Sequence, residues 1–429
     1  MAPRSRAADG LALVPAAALP LIFLHVRYQP GATLGPVSVY ASDLAVACVV
    51  AAALVAGWRF GFGPVLRPWP LWAAAGALLT LFVISCFWRP LEQTTTHLDT
   101  AAKIVEYALL APALVLLFRR RLQVERFLWV FVAWGTAASG WAVLQFLGVV
   151  NEFEGRRPGQ LEPSFLGNID FAATSGAVLA VGIAGVALGL RNRGYLVAVV
   201  AGTIGVAIAA QVLTYGGVVL MAIASIVLGA RAHSLTRGRV ATIVVATVLA
   251  GAGVLALRAY DTTNFLRFLG IKEATASTSQ SVQTGSQRAM LAYIGVRIWL
   301  DHPVLGVGFD RSANRYQPYL ADAKRKFPQA AQAFPSPEHP WGIQVLWIQL
   351  LADTGVVGFA LGVATFVIGG LYALRASPRA ALVGAVALGW ILVAAGAWTG
   401  LGIVAGIPLQ AITWFGFGLA AVAAGELAE

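Results

Sequence analysis

The chain alternates between long uncharged runs and short charged connections. Runs of about 17 to 20 apolar residues recur from one end to the other, and a helix of about 20 apolar residues crosses the hydrocarbon core of a bilayer. The pattern predicts an all-α, polytopic membrane protein of about twelve transmembrane helices. The predicted spans cover residues 10–26, 40–58, 70–88, 99–118, 126–148, 169–190, 194–211, 214–230, 240–257, 343–371, 380–399 and 404–424.

The arginines between the spans predict the orientation, because cytoplasmic loops attract Lys and Arg. With the N-terminus inside, fifteen arginines, half of the 30 Lys and Arg, fall on inside segments, and the short outside loops hold few. This alternation predicts an even number of spans with both termini cytoplasmic. The first apolar run has no pattern of a cleaved signal, so we expect it to remain as the first span.

One outside connection is much longer than the others. Residues 258–340 carry ten Lys and Arg against six Asp and Glu. Long translocated loops escape the orientation rule, so this positive charge suits a function, such as binding a phosphate or diphosphate. The chain thus divides into residues 1–257 with helices 1–9, the large loop 258–340, and residues 341–429 with helices 10–12.

Part of this loop is predicted to be a surface helix. The stretch "GSQRAMLAYIGVRIWLDHP" (285–303) has Ser286 as N-cap and Pro303 as stop. We expect the helix to lie on the membrane or dip into it. The run "AKRKF" (323–327) favours a solvated face or a contact with anionic lipid headgroups. The apolar stripe of the helix consists of Met290, Leu291, Ile294 and Ile298.

The composition agrees with a membrane protein, and the absence of certain motifs limits the cofactors that the protein could use. Of the 429 residues, 59% are hydrophobic and 11% are charged. The sequence has no G-x-x-x-x-G-K-[ST] loop, no Asp-x-Asp pair and no histidines at ligand spacing. We therefore expect a mechanism without ATP, metal or cofactor, and no nucleic-acid partner.

A few charged residues are predicted at membrane depth. Such groups usually face the bundle interior and mark a pathway or site, with mutual neutralisation as the ordinary alternative. Three of them share one face of a helix at spacings of three and four, and a structural ion-pair cluster and a substrate-facing cluster both fit that pattern. The three are Asp99, Lys103 and Glu106, and the others are Asp43, Asp170 and Asp353.

Two residues of the large loop stand out chemically. Arg288, at the start of the predicted surface helix, is a fixed cation that can bind a diphosphate bidentately. His339 lies in the proline-rich stretch "FPSPEHPWG" (334–342) directly before a span. Imidazole has an ordinary pKa of about 6.5 and is a natural general base near neutral pH. A surface arginine and a structural histidine are the alternatives.

These residues resemble a known family. The arrangement "SQRAMLAYIGVRIWLDHPVLGVGFDR" (286–311), a basic loop, and then "EHPWGIQVLWIQLLADTGVVG" (338–358) resembles the bacterial O-antigen ligase and polymerase superfamily. Its members have an Arg-led helix, a "HPLLGVG"-like turn, a His and an "L-x-E-T-G-x-x-G"-like span. The stretch "GRRPGQLEPSFLGNIDFAA" (155–173) is similar to that family's "G-N-x-N-x-x-A" motif. The resemblance covers roughly residues 155–360.

The resemblance implies a function. Arg288 would be the family's essential periplasmic arginine and His339 its essential histidine, with Asn168 and Asp170 as substrate-binding residues. The protein would be a bacterial inner-membrane glycosyltransferase with its active site facing the periplasm. It would transfer O-antigen polysaccharide from undecaprenyl diphosphate to the lipid A core during lipopolysaccharide assembly, with inversion at the anomeric carbon.

The sequence lacks one arginine that members of the family have. The family has Ser-Arg-Gly at the outer start of a span, where this chain reads "LTYGGVV" (213–219). Lys103 and Arg157 are candidate substitutes. His339 is also separated from the "LADTG" stretch by more residues than in many members.

Two other functions remain open. An O-antigen polymerase acting on the same lipid carrier is the first, although a single large late loop favours the ligase. An anion or solute transporter is the second, but the sequence has no inverted repeat that would favour transport.

Overall fold

The structure is a computed structural model of the 429-residue chain, and it describes residues 3–34, 37–88, 94–150, 164–259, 284–327, 342–403 and 406–425. The described chain is almost entirely helical, with one short hairpin of strands β1 (Gly31–Leu34) and β2 (Val37–Tyr40). The helices are α1 (Pro3–Ala12), α2 (Val14–Ile22), α3 (Ala41–Phe60), α4 (Gly63–Leu66), α5 (Trp69–Ser85), α6 (Thr94–Ala108), α7 (Leu110–Leu117), α8 (Arg121–Phe146), α9 (Asn168–Ala187), α10 (Gly194–Ala209), α11 (Val212–Arg231), α12 (Arg237–Leu257), α13 (Thr284–Asp301), α14 (Gln317–Lys326), α15 (Leu346–Leu374), α16 (Ala381–Trp398) and α17 (Ile407–Ala424).

The helices confirm a multi-pass membrane protein. Within the described ranges, nine are long and apolar enough to cross a bilayer, counting α6 and α7 as one. Three shorter apolar helices cover Ala7–Ile22, Trp69–Ser85 and Gly194–Ala209. The total of twelve crossings and the cytoplasmic position of the termini remain predictions.

Helices α9, α16 and α17 form the centre of the bundle. In the apolar window of α9, 94% of the residues are buried, against 28% in α15. Aromatic rings fill the space between the central helices and α8: the centroids of Phe131 and Trp390 are 4.5 Å apart, and those of Phe127 and Phe415 are 5.2 Å apart. The outer helices expose leucines and valines, as expected where a helix contacts lipid.

Two local features were not predicted from the sequence. The β1–β2 hairpin precedes α3, although the alternating stretch Val37–Tyr40 has the period of a strand. The predicted span 99–118 is divided into α6 and α7 at Leu109. Pro112 lacks a backbone N–H and its ring clashes with the carbonyl four residues earlier, which explains the interruption.

Helix α15 is also interrupted, at Gly355. This residue has φ +63° and ψ −164°, so the helical hydrogen-bond pattern stops and restarts there. A β-carbon at this position would lie 2.2 Å from the backbone carbonyl of Val304. Only glycine therefore fits both the dihedral angle and the close approach.

A segment from the large loop satisfies the backbone groups that this interruption frees. Val307 and Gly308 donate their N–H groups to the carbonyls of Ala352 and Asp353, at 2.9 and 2.8 Å. In return, Pro303 and Val304 accept from the N–H groups of Val356 and Val357, at 2.9 and 3.3 Å. We call residues 303–312 the inserted segment, because it completes the hydrogen bonds of a membrane-spanning helix.

Side chains hold the inserted segment as well. The buried carboxylate of Asp353 accepts hydrogen bonds from the backbone N–H groups of Asp310 and Ser312, at 3.1 and 2.9 Å. Arg311 donates to the carbonyl of Cys86 at 2.7 Å, just beyond the C-terminus of α5, where a cation is favourable. Phe309 is fully buried and packs on Phe82. This part of the large loop therefore belongs to the helical bundle.

The predicted surface helix exists as α13. Its stripe of four apolar residues is buried, and the helix packs against α14 and α15. It ends at Asp301, two residues before Pro303, as predicted. The prediction of Ser286 as N-cap was wrong, because the helix begins at Thr284.

We expect Gly355→Ala to destabilise the protein strongly. The new methyl group would meet the Val304 carbonyl, and the residue would keep a backbone conformation that is essentially restricted to glycine, which alone costs about 1–3 kcal/mol. A lower midpoint of thermal unfolding in detergent, measured by fluorescence-monitored size-exclusion chromatography, is the expected result.

Gly370→Ala is the matched control in the same helix. Its β-carbon would find its nearest neighbour, in Leu388, at 3.9 Å, and alanine favours a helix over glycine by about 1 kcal/mol. An unfolding midpoint at or above that of the wild type is expected for it. Equal midpoints for the two variants would contradict the role given to Gly355.

Candidate functional site

Arg288 lies in the second turn of α13 and is partly buried. Its Nε donates to Oε1 of Gln344 at 3.3 Å, and in the described chain this neutral amide is its one side-chain partner. Burial lowers the pKa of the Arg288 guanidinium, and the positive charge of Arg258 lowers that pKa further. An arginine still remains charged at any physiological pH. A desolvated cation with a neutral partner is thus present here.

Arg258 was not singled out in the sequence, although it contributes to the same site. It follows the last residue of α12, and its side chain is buried. Its Nε donates to the carbonyl of Ala210 at 2.8 Å. An arginine at the predicted outer end of an apolar span, where basic residues are disfavoured, was the available signal.

The position of Arg258 bears on the arginine that the sequence resemblance leads us to expect. Ala210 lies at the corner between α10 and α11, directly before the stretch "LTYGGVV" that lacks the expected arginine. Arg258 brings a guanidinium to this corner from a different helix. The positive charge of Arg258 contributes to the lowered pKa of Arg288, so the two cations are within electrostatic range of each other. An anion that contacted both would relieve their mutual repulsion.

The backbone beside Gln344 connects this site to the segment between α16 and α17. Ile343 and Gly402 are in close contact, since a β-carbon on Gly402 would lie 2.5 Å from the Ile343 carbonyl. Oε1 of Gln349 accepts from the N–H of Ile403 at 2.6 Å. The segment before α15 and the connection between α16 and α17 are therefore held together.

Lys103 is part of an ion-pair cluster. Its ammonium donates to the buried carboxylate of Asp43 and lies 3.6 Å from Glu106. Oδ2 of Asp43 also accepts from the N–H of Tyr40, at the start of α3. Asp99, the residue one turn before Lys103, makes no hydrogen bond or ion pair with the described chain. Lys103 is thus paired with an acid of another helix as well as with one of its own.

Asp170 caps a helix. The residue is buried in the first turn of α9, and its Oδ1 accepts from the N–H of Leu409 at 3.0 Å, in the first turn of α17. This contact favours the N-terminal end of α17 electrostatically. Asn168 is the first residue of α9. Substrate binding by either residue remains a prediction.

Two predicted site residues, Arg157 and His339, lie outside the described residues. His339 precedes Gln344, the partner of Arg288, by five positions in the sequence. Among the described ranges, no group of three or more His, Cys, Asp or Glu side chains could hold a metal ion.

Comparison with known proteins does not extend this picture. No protein-family model matches the chain, and no curated protein sequence matches it. The two arginines, the sequence stretches around them and the chemistry that they allow are therefore the basis for inferring a function.

We expect Asp43→Asn to lower the stability of the bundle. The substitution leaves the Lys103 ammonium without its principal partner, a loss of about 1–3 kcal/mol. The unfolding midpoint in detergent should fall measurably. Asp99→Asn is the matched control, because the Asp99 carboxylate has no partner in the described chain, and it should unfold near the wild-type temperature. A larger loss for Asp99→Asn than for Asp43→Asn would contradict the assignment of the ion pair.

Proposed function

We propose that the protein is an O-antigen ligase, a glycosyltransferase of the bacterial inner membrane that transfers polysaccharide from undecaprenyl diphosphate to the lipid A core. The observation that carries the proposal is a pair of arginines: Arg288 is partly buried with a neutral amide as its partner, and Arg258 is buried against the α10–α11 corner. Two guanidinium groups close together suit a diphosphate, which offers several anionic oxygens in bidentate geometry.

The arginines would act on the leaving group. An acceptor hydroxyl attacks the anomeric carbon of the lipid-linked sugar, and the bond from that carbon to the diphosphate oxygen breaks. The electron pair stays on the diphosphate, where Arg288 and Arg258 stabilise the developing charge. Fixed cations in a desolvated site are effective for this purpose because they need no reorganisation during the reaction.

His339 would accept the proton that the acceptor hydroxyl loses. Its imidazole is a suitable base near neutral pH, and a positioned base commonly contributes about 10² to 10⁴ in rate. Two facts support this role: its closeness in sequence to Gln344, and the resemblance of the "EHPWG" stretch to the ligase and polymerase superfamily.

The same chemistry would serve an O-antigen polymerase, which uses the same kind of donor. The two functions differ in the acceptor, so the assay must offer both. Purified protein in proteoliposomes would receive the lipid-linked donor together with lipid A core or with a second lipid-linked repeat unit. Transfer to lipid A core supports the ligase, and transfer to the repeat unit identifies a polymerase.

We expect Arg288→Ala and Arg258→Ala each to reduce transfer by about 10² to 10³, the usual loss on removing one group that stabilises transition-state charge. The reduction should appear with EDTA present, since the arginines are proposed to supply the positive charge. Initial rates of polysaccharide transfer, read on gels, are the measurement.

Arg297→Ala is the matched control for these variants. Arg297 lies on the same helix as Arg288, but its side chain is 46% exposed and lies 3.6 Å from Asp322. Wild-type transfer is expected from it. Full activity in Arg288→Ala protein would contradict the proposed role of the arginine pair.

We expect His339→Ala to slow transfer by about 10² to 10⁴ while leaving the fold intact, because only the proton acceptor is removed. His302→Ala, in the turn after α13, is the matched histidine control and should transfer at the wild-type rate. If His339→Ala kept its activity and the arginine variants lost theirs, the diphosphate site would stand and the base would have to be another group.

A further inference from the structure

A cavity of about 380 Å³ lies between the hairpin, α3, α6 and the start of α17. We call it the polar chamber, because its lining includes the charged or hydroxyl-bearing side chains of Tyr40, Asp43, Asp99, Lys103 and Tyr107. It is distinct from the arginine pair, which is not part of its lining. A concave space with a few polar groups on an otherwise apolar wall is the usual form of a ligand site.

The polar chamber continues into an apolar groove between α5, α6, α15 and α17. Ile104, Ile403 and Gln410 line both spaces, so the two adjoin. The groove wall is otherwise almost entirely apolar and aromatic, with residues such as Phe82, Trp347, Leu350, Phe366 and Trp414. A charged chamber that opens into an apolar groove matches an amphiphile, with its headgroup in one space and its hydrocarbon chain in the other.

The charges of the polar chamber define the headgroup. Lys103 forms ion pairs with Asp43 and with Glu106, so its positive charge is already balanced by carboxylates. Asp99 lines the chamber and has no hydrogen bond or ion pair with the described chain. The remaining negative charge at Asp99 favours an ammonium group, which would gain a charge-assisted hydrogen bond. Lys103 has three N–H donors and can contact a phosphate on the same headgroup.

A second, independent observation comes from the groove. Trp414 lines it and is 7% exposed, and its buried Nε1–H meets no acceptor in the described part of the chain. Buried donors of this kind are normally satisfied by protein, water or ligand. In an apolar groove next to a lipid headgroup, the ester carbonyl of an acyl chain is the acceptor that fits.

We propose that the polar chamber and the groove together bind a bilayer phospholipid with a phosphoethanolamine headgroup. Its ammonium lies at Asp99, its phosphate at Lys103 and an ester carbonyl at the Trp414 indole, while one acyl chain follows the groove. Phosphocholine lipids carry no N–H donor for the carboxylate, and phosphoglycerol lipids bring a net negative charge towards Asp99. The site therefore selects among bilayer lipids by the headgroup amine, independently of any transferase activity.

Native mass spectrometry of the full-length protein in detergent tests the proposal. The protein is titrated with phosphatidylethanolamine, phosphatidylcholine and phosphatidylglycerol of identical acyl chains. We expect one phosphatidylethanolamine to bind at least about tenfold more tightly than the other two, the change that one charge-assisted hydrogen bond produces. Asp99→Asn should remove this preference, and Trp414→Phe should weaken phosphatidylethanolamine binding while keeping the ring in the groove.

Asp301→Asn is the matched carboxylate control, because Asp301 lies at the end of α13 outside the chamber and accepts from the Tyr319 hydroxyl. It should bind lipid like the wild type. Equal binding of the three lipids by the wild-type protein, or an unchanged preference in Asp99→Asn, would overturn the proposal. Free phosphoethanolamine is a further arm: if it displaced the lipid at equal concentration, the site would be for a soluble amine and the acyl-chain role of the groove would be wrong.

Discussion

The half of the bundle that holds Arg288 depends on how one interrupted helix satisfies its backbone. A helix that stops within a membrane span frees N–H and C=O groups, and each costs several kcal/mol if it finds no partner away from water. At Gly355 the inserted segment supplies all four observed partners and is itself anchored by the carboxylate of Asp353. The position of α13, and so of Arg288, follows from this pairing, because α13 leads directly into the inserted segment.

Buried carboxylates hold this end of the molecule together. Asp43, Asp170 and Asp353 each accept a hydrogen bond from a backbone N–H, at the start of a helix or in the inserted segment. The free-energy cost of burying a carboxylate near the membrane is reduced when such donors surround it. Arg288 differs, since it has a neutral amide as its partner and a second arginine nearby. Its surroundings resemble those of a site for an anionic ligand more than those of a structural ion pair.

The spans could be predicted from the sequence because a run of apolar residues long enough to cross a bilayer is a local property. The stop of α13 before Pro303 was predictable for the same reason. The interruption at Gly355 was not, because its partners lie about fifty residues earlier in the chain. Long-range proximity also explains why the sequence does not single out Arg258. It likewise explains why the sequence groups Lys103 only with Asp99 and Glu106 of its own helix, whereas Asp43 of α3 is its principal partner. The chemistry of Arg288 could be predicted from its residue type and its position in the sequence. Its partial burial could be seen only in the folded structure.

The shared hydrogen bonds between α15 and the inserted segment have a consequence for biogenesis. Most membrane helices enter the bilayer as separate units, because each one satisfies its own backbone. Helix α15 cannot do so, since part of its hydrogen bonding comes from residues translated before it. Its insertion must therefore be completed together with the folding of the inserted segment against it. A chain in which that segment failed to fold back would be left with an incomplete helix.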